Sequence, residues 1–357
     1  MGYLKLSICI PTYNRMLFLK KLLVELQRIR RMDVEFVVLN DQSDDGTAEM
    51  LEQIKDKRLR VILNRKKVHA HNTMINAIWS GKGEYILFCN DRDFLYADKT
   101  EELLEILDKG EYSYLYLSKK NPAGNCGSIQ VFQPGFDSVI HHDVTHHPTG
   151  TVYNGRIIRE QIKNREKYLC YKDNCYAWDL LMMDMVWHAP SAECDLGIYD
   201  VPGDDFFLEN SSGAKITKRS YYADPVFQRK IMCRFCSHLE KTYKLRFSDR
   251  ELQEVFSHMI DFFARQMYGY KQVRMYRPYM QYYGLEMKWL STNEVLGIYR
   301  KFCRTVHCLE QKYGFLFGRQ MYLRHLGMII LHSIYADFKF ILKKESGKER
   351  VRTHTAK

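Results

Sequence analysis

Two rhythms of apolar positions alternate along the first ninety residues. "YLKLSICI" (3–10) is apolar and β-branched enough to predict a strand, which should stop at Pro11. Leu19, Leu22, Leu23, Leu26 and Ile29 then recur at helical spacing. "VEFVVLN" (34–40) is nearly continuous in apolar residues, as a strand covered on both faces requires. After the polar loop "DQSDDGT", "AEMLEQIKD" reads as a helix, "RLRVILN" (58–64) as a third strand, "HNTMINAIWS" as a helix and "EYILFCN" (84–90) as a fourth strand. Strand and helix in turn predict an α/β fold with a parallel sheet and right-handed crossovers.

From about residue 110 the pattern shortens. "YSYLYLS" and "SIQVFQ" predict short strands, a His-rich loop follows, and "GRIIREQIKNREKYL" and "WDLLMMDMVW" predict helices. Beyond residue 225 the spacing is helical throughout: Leu252, Val255, Phe256, Met259, Ile260 and Phe263 form one stripe, and Val295, Ile298, Tyr299, Phe302, Val306 and Leu309 another. The expected division is an α/β domain over 1–225, a helical domain over 226–345, and a charged, disordered tail over 346–357.

Composition narrows the class. At 357 residues, 46% hydrophobic and 27% charged, the chain reads as a large soluble protein. No apolar run reaches the roughly 18–20 residues that span a bilayer; "LGMIILHSIYADFKFIL" (326–342) comes nearest and is interrupted by His332, Asp337 and Lys339. A strand pattern that starts at residue 3 leaves no secretory leader, so the expected compartment is the cytoplasm. There the ten cysteines should be reduced core residues, Cys233-x-x-Cys236 included. Charge is uneven: from Val226 onward there are 25 Lys and Arg against 11 Asp and Glu, within an overall net charge of +11. A basic final third points to an anionic partner: a membrane surface, an acidic substrate or nucleic acid.

The candidate chemistry lies where strands end. In "LFCNDRDFLY" (87–96), Asp91 and Asp93 follow a buried strand; they are either a solvated acidic turn or one half of a site for an oxygen-loving cation. Polar loops at 11–14, 40–47 and 90–93 should converge at the carboxyl ends of the strands, where open α/β sheets bind ligands. In the second loop Ser43, Asp44 or Thr47 could cap the helix from Ala48, and Asp41 is placed to accept hydrogen bonds from ribose hydroxyls or a base edge. "HHDVTHHPTG" (141–150) holds four histidines and, read alone, could be a zinc site.

Together "SICIPTYNR" (7–15), "LNDQSDDGT" (39–47), "GEYILFCNDRD" (83–93) and "HPTG" (147–150) resemble the family 2 glycosyltransferases, over about residues 4–215. Many of these build bacterial surface polysaccharides. The resemblance implies a GT-A fold: a Rossmann-like, mostly parallel sheet with helices on both faces, here followed by a helical domain. It implies that Pro11, Thr12, Tyr13 and Asn14 line a nucleotide pocket, with Asp41, Ser43 and Asn72 beside them. Asp91 and Asp93 would form the D-x-D pair, with Asp93 ligating a Mn²⁺ or Mg²⁺ ion on the diphosphate. His147 and Gly150 would belong to an acceptor-side loop. Asp179 would be the base of an inverting transfer, with Asp173, Glu193, Asp195, Asp204 and Asp205 as rivals. The implied donor is a UDP-sugar and the implied acceptor a glycan or lipid-linked glycan, reached by a protein peripheral to the inner membrane face. The chain departs from the family where Asn40 and Asn90 replace acids, His71-Asn72 replaces Arg-Asn and Trp178 replaces Glu. No nucleic-acid motif is present, so none is expected as a partner. Two rival readings are a nucleic-acid-binding protein that uses the basic helices, and a scaffold that has lost catalysis.

Overall fold

A computed structural model describes residues 3–68, 70–142, 147–169, 177–201, 225–268 and 291–345. The chain divides into two compact units, Met1–Ile216 with Lys230–Met259, and Thr217–Arg229 with Ile260–Lys357. The tail at 346–357 lies outside the described residues.

The first unit is built on one sheet in the order β3-β2-β1-β4-β8-β6-β9-β5, with β7 also pairing β9. Strands β1 (Leu6–Thr12), β2 (Val34–Asn40), β3 (Leu59–Leu63) and β4 (Tyr85–Phe88) run parallel. All seven residues of β2 are buried, which is why its sequence is an unbroken apolar run. Helices α1 (Met16–Leu26), α2 (Thr47–Glu52), α3 (Ala70–Ser80) and α4 (Ala97–Lys109) connect and cover these strands. The spaced leucines of α1 and α4, Leu19, Leu22, Leu26, Leu103 and Leu107, enter one core cluster with Ile8, Phe36 and Leu87. β1 does not stop at Pro11. A proline removes only a donor, and the Asp41 N–H still bonds the Thr12 carbonyl at 2.9 Å, so the strand continues to Thr12.

Past β4 the sheet becomes mixed. β5 (Phe94–Leu95), β6 (Tyr114–Lys119), β7 (Ile129–Phe132), β8 (Thr151–Asn154) and β9 (Ser191–Asp200) complete it. β8 joins β4 and β6 antiparallel, β9 joins β6 parallel, and β7 and β5 join β9 antiparallel. Between the last strands lie α5 (Phe136–His141), α6 (Gly155–Ile157) and α7 (Ala177–Met185). The continuous helix expected over "GRIIREQIKNREKYL" is instead broken. The Asn154 side chain caps a single turn, a π-turn follows at Ile158–Ile162, and Lys163 (φ 53°) ends it before a 3₁₀ turn at Arg165–Tyr168.

The C-terminal helices are α8 (Pro225–Tyr243), α9 (Asp249–Tyr268), α10 (Thr292–Tyr313) and α11 (Arg319–Glu345). Val295, Tyr299, Phe302, Val306 and Leu309 are buried along α10. A Ser291/Glu294 capping box starts that helix and Gly314 (φ 75°) ends it. No helix of the described residues is long and apolar enough to cross a membrane.

Candidate active site

Loops at the carboxyl ends of β1, β2 and β4 meet. Asn14, in the left-handed region (φ 52°), donates from its backbone to Ser43 Oγ at 3.0 Å, and its side-chain amide exchanges hydrogen bonds with Asp44 at 2.5 and 2.9 Å. The Met16 N–H donates to Asp45 at 2.9 Å. These bonds occupy Ser43, Asp44 and Asp45 in fastening the first loop to the second. None of the expected caps is used: Gly46 stands at the N-cap of α2, with no side-chain bond. Asn40 holds the loop from below, its Oδ1 accepting from the Ser43 N–H at 2.9 Å.

Asp41 is 3% exposed and accepts from Asn64 Nδ2 at 2.6 Å and the Val68 N–H at 3.1 Å. Pro11 lies in the β1–β2 register, and Lys67 Nζ stands 3.6 Å over the Tyr13 ring. Asn72 is half-buried in the first turn of α3, next to the buried His71.

The acidic pair is not a solvated turn, since Asp91 and Asp93 are each 1% exposed. Buried carboxylates need partners, and the two find different ones. Asp91 accepts from Thr12 Oγ1 at 2.9 Å and Arg15 Nη1 at 2.8 Å, which ties β4 to β1. Asp93 gathers its donors on Oδ2: His147 Nε2 at 2.7 Å, Asn90 Nδ2 at 2.9 Å and the Thr149 hydroxyl. Its Oδ1 is buried and meets no hydrogen-bond donor among the described residues, with Arg92 Nε no nearer than 4.0 Å. Burial alone would raise the Asp93 carboxyl; His147, Arg92 and Thr149 outweigh it and hold it below the ordinary carboxylate range. Asp93 is therefore anionic, fixed by one oxygen and open at the other. That is the donor chemistry a hard divalent cation takes, so these residues fit a Mn²⁺ or Mg²⁺ ion.

The His-rich loop is split by its surroundings. His147 stacks on Tyr199 at 5.5 Å and 18° and faces Asp93. His142 is fully buried, bonds Ser191 Oγ at 2.9 Å and packs edge-on to Tyr114. His141 stacks on Phe132, and His146 lies outside the described residues. No group of three metal-ligating side chains forms among the described residues. Gly150 adopts φ 94°, and a Cβ there would lie 2.7 Å from the Leu117 carbonyl and the Tyr199 ring.

Asp179 is 3% exposed in α7, and its neighbour Trp178 stacks on His71 at 5.8 Å and 16°. The helix that carries Asp179 is thereby joined to α3, whose approach loop binds Asp41. Burial first, and the Asp179 carboxylate in addition, push the phenols of Tyr114 and Tyr153 upward. Among the rivals, Asp195 is committed elsewhere. Ser118, Asn125 and Cys126 all donate to it, and the backbone N–H of Cys126 above all holds it well below the carboxylate range. Glu193 sits on β9 beside His142, and burial raises its carboxyl. Asp173, Asp204 and Asp205 lie outside the described residues.

Sequence reading missed Arg15 and Thr149. Arg15 closes the quoted "SICIPTYNR" and Thr149 lies within "HPTG", so each stood beside residues already singled out.

Comparison with known proteins adds family and fold likenesses. Residues 7–144 match the model of "Glycosyl transferase family 2". A GalNAc(5)-diNAcBac-PP-undecaprenol beta-1,3-glucosyltransferase of Campylobacter jejuni is 28% identical over 125 residues, covering 34% of this chain and 38% of its own. The abequosyltransferase RfbV of Salmonella typhimurium is 27% identical over 134 residues, covering 36% of this chain and 39% of its own. The matches thus span well under half the length of these curated relatives. The crystal structure of S. aureus TarS 1-349 in complex with UDP-GlcNAc superposes with a TM-score of 0.57 at 15% identity, over 95% of this chain and 92% of that one. That likeness supports the GT-A architecture.

Proposed function

We propose that the chain, which matches the glycosyl transferase family 2 model over residues 7–144, acts as a member of that family and transfers a sugar from a nucleoside diphosphate donor to a glycan or lipid-linked glycan. The observation that carries this reading is the Asp93 carboxylate, buried and anionic, with three donors on one oxygen and, among the described residues, none on the other.

The nucleoside occupies the loops after β1 and β2, where Asp41 accepts from the base or ribose and residues 11–14 form the wall. The resemblance to UDP-binding structures favours uridine. Asp93, with Asp91, would hold a Mn²⁺ or Mg²⁺ ion, which when bound offsets charge on the leaving diphosphate. Arg15 and Arg92, each partly exposed beside the pair, add positive charge at the same place. Asp179 takes the proton of the acceptor hydroxyl as that oxygen attacks the anomeric carbon from the face opposite the diphosphate. One displacement of this kind inverts the configuration. His147 orients Asp93 and presents the acceptor-side loop. A lipid-linked acceptor would place the enzyme at the inner membrane face, with the basic helices against anionic headgroups.

A thermal-shift screen of UDP-, GDP- and dTDP-sugars, with and without Mn²⁺, tests this reading. One class of donor should raise the melting temperature in a metal-dependent way. A flat response to every nucleotide sugar, with salt-sensitive binding to oligonucleotides, would replace it with the nucleic-acid reading.

A further inference from the structure

Helix α11 carries large apolar side chains on more than one side, and in a soluble helix such residues normally gather on one buried stripe. Here only one of those sides is buried. His325, Ile329, Ser333 and Ala336 are buried within the C-terminal unit. Leu323, Leu331, Ile334 and Phe338 are 52%, 64%, 56% and 60% exposed. At helical spacing these four fall within an arc of about 80°. Tyr335, 52% exposed, extends the arc, and Lys339 Nζ lies 5.4 Å over its ring.

The edges of this face are basic. Arg319 and Arg324 are exposed on either side of Leu323, and Lys339 is exposed beyond Tyr335. Asp337 of α11 accepts from Thr292 Oγ1 of α10 at 3.1 Å. Large apolar side chains flanked by Arg and Lys match the interface of an anionic bilayer. Acyl chains take the former there and lipid phosphates the latter. A second copy of this chain fits less well. Its own basic edges would be brought against these, in a protein already at net charge +11.

We propose that the Leu323–Leu331–Ile334–Phe338 face of α11 is a membrane-docking surface for anionic lipid. It rests on the proposed function only for its purpose, the approach to a lipid-linked acceptor; the binding itself is independent of transfer.

The test is sedimentation of the full chain with vesicles of phosphatidylcholine alone, or mixed with phosphatidylglycerol, at low and high salt. Wild-type protein should pellet with the mixed vesicles and much less with phosphatidylcholine. The triple variant Leu331→Gln, Ile334→Gln, Phe338→Gln should bind at least about tenfold more weakly. Because these side chains are exposed, its circular dichroism melt should match wild type. Arg319→Gln with Arg324→Gln and Lys339→Gln should weaken binding and flatten its salt dependence. The proposal is overturned if wild type stays in the supernatant with both vesicles, if the apolar variant pellets equally, or if sedimentation velocity shows a wild-type dimer that this variant splits. Donor-induced thermal shifts on the same samples separate the two ideas: loss of docking with intact shifts removes only this inference, and docking without shifts removes only the glycosyltransferase reading.

Discussion

The Asn90 side-chain amide donates to Asp93 Oδ2 at 2.9 Å and to Thr149 Oγ1 at 3.0 Å, so a neutral donor sits against the buried carboxylate. An aspartate at 90 could not donate, and it would set a second carboxylate against Asp93. Asn90→Asp should therefore lower transfer by about tenfold or more and shift the divalent-metal concentration needed for half-maximal rate. A metal titration of the rate that matches wild type would show that the amide has no part in poising Asp93.

Asp93→Ala removes the open oxygen itself. Transfer should fall by at least about a hundredfold, with loss of the metal-dependent part of donor binding. Turnover like that of wild type, in a radiolabelled-sugar assay, would end the metal role.

Asp179→Asn should leave donor affinity in place, because the amide fills the same space. It should lower turnover by at least about a hundredfold through loss of the proton acceptor. Retained turnover would move the base to a different residue, with Glu193 the first to examine.

Gly150 holds its left-handed turn with no room for a side chain. Gly150→Ala should destabilise the protein by about 2 kcal/mol or more and lower its melting temperature by several degrees. Since Thr149 and His147 hang from the same turn, donor binding should weaken as well. A melt unchanged from wild type would mean that the turn can shift away from Leu117 and Tyr199.

Asp184 gives a pH-dependent case away from the site. It is 7% exposed and bonds Lys167 at 2.7 Å and the Tyr168 hydroxyl, with His238 at 3.4 Å. Burial would raise its carboxyl, but His238 and Lys167 prevail and depress it. A depressed carboxyl stabilises the fold above its unfolded value of about 3.9, and that contribution fades as pH falls through the lower folded value. Asp184→Asn should thus cost about 2 kcal/mol at pH 7 and converge on wild type only at a pH under the depressed folded value, itself below about 3.9. Parallel denaturation curves at both pH values check this; a gap that persists in acid would assign the loss to packing.

Much of this was legible in the sequence because the relevant physics is local. β1, β2 and β4 are buried runs, α1 carries a periodic apolar stripe, and "NDRD" follows a short strand that is buried throughout. β9 was not legible. Its alternating Glu193 and Asp195 look like acid candidates until β6 and β7 pair with the strand and Asp195 is seen holding the loop at Asn125 and Cys126. Nor could spacing reveal that Arg15 pairs with Asp91, 76 residues away, or that His147 and His142, five residues apart, face separate partners. Those facts depend on strand order, which periodicity does not encode.

The placement of β9 also bears on the order in which the chain matures during synthesis. The segment after β4, which carries Asp91 and Asp93, is anchored on its far side by Phe94 and Leu95 pairing with Asp200 and Tyr199. Tyr199 is in turn the ring on which His147 stacks. A ribosome-bound chain that has emerged only to residue 190 holds both aspartates but neither support. Closure of the loop that carries Asp91 and Asp93 must wait for contacts across more than a hundred residues, a slow step in folding. Metal-dependent donor capture by nascent chains of increasing length should therefore begin only once Asp200 has cleared the exit tunnel.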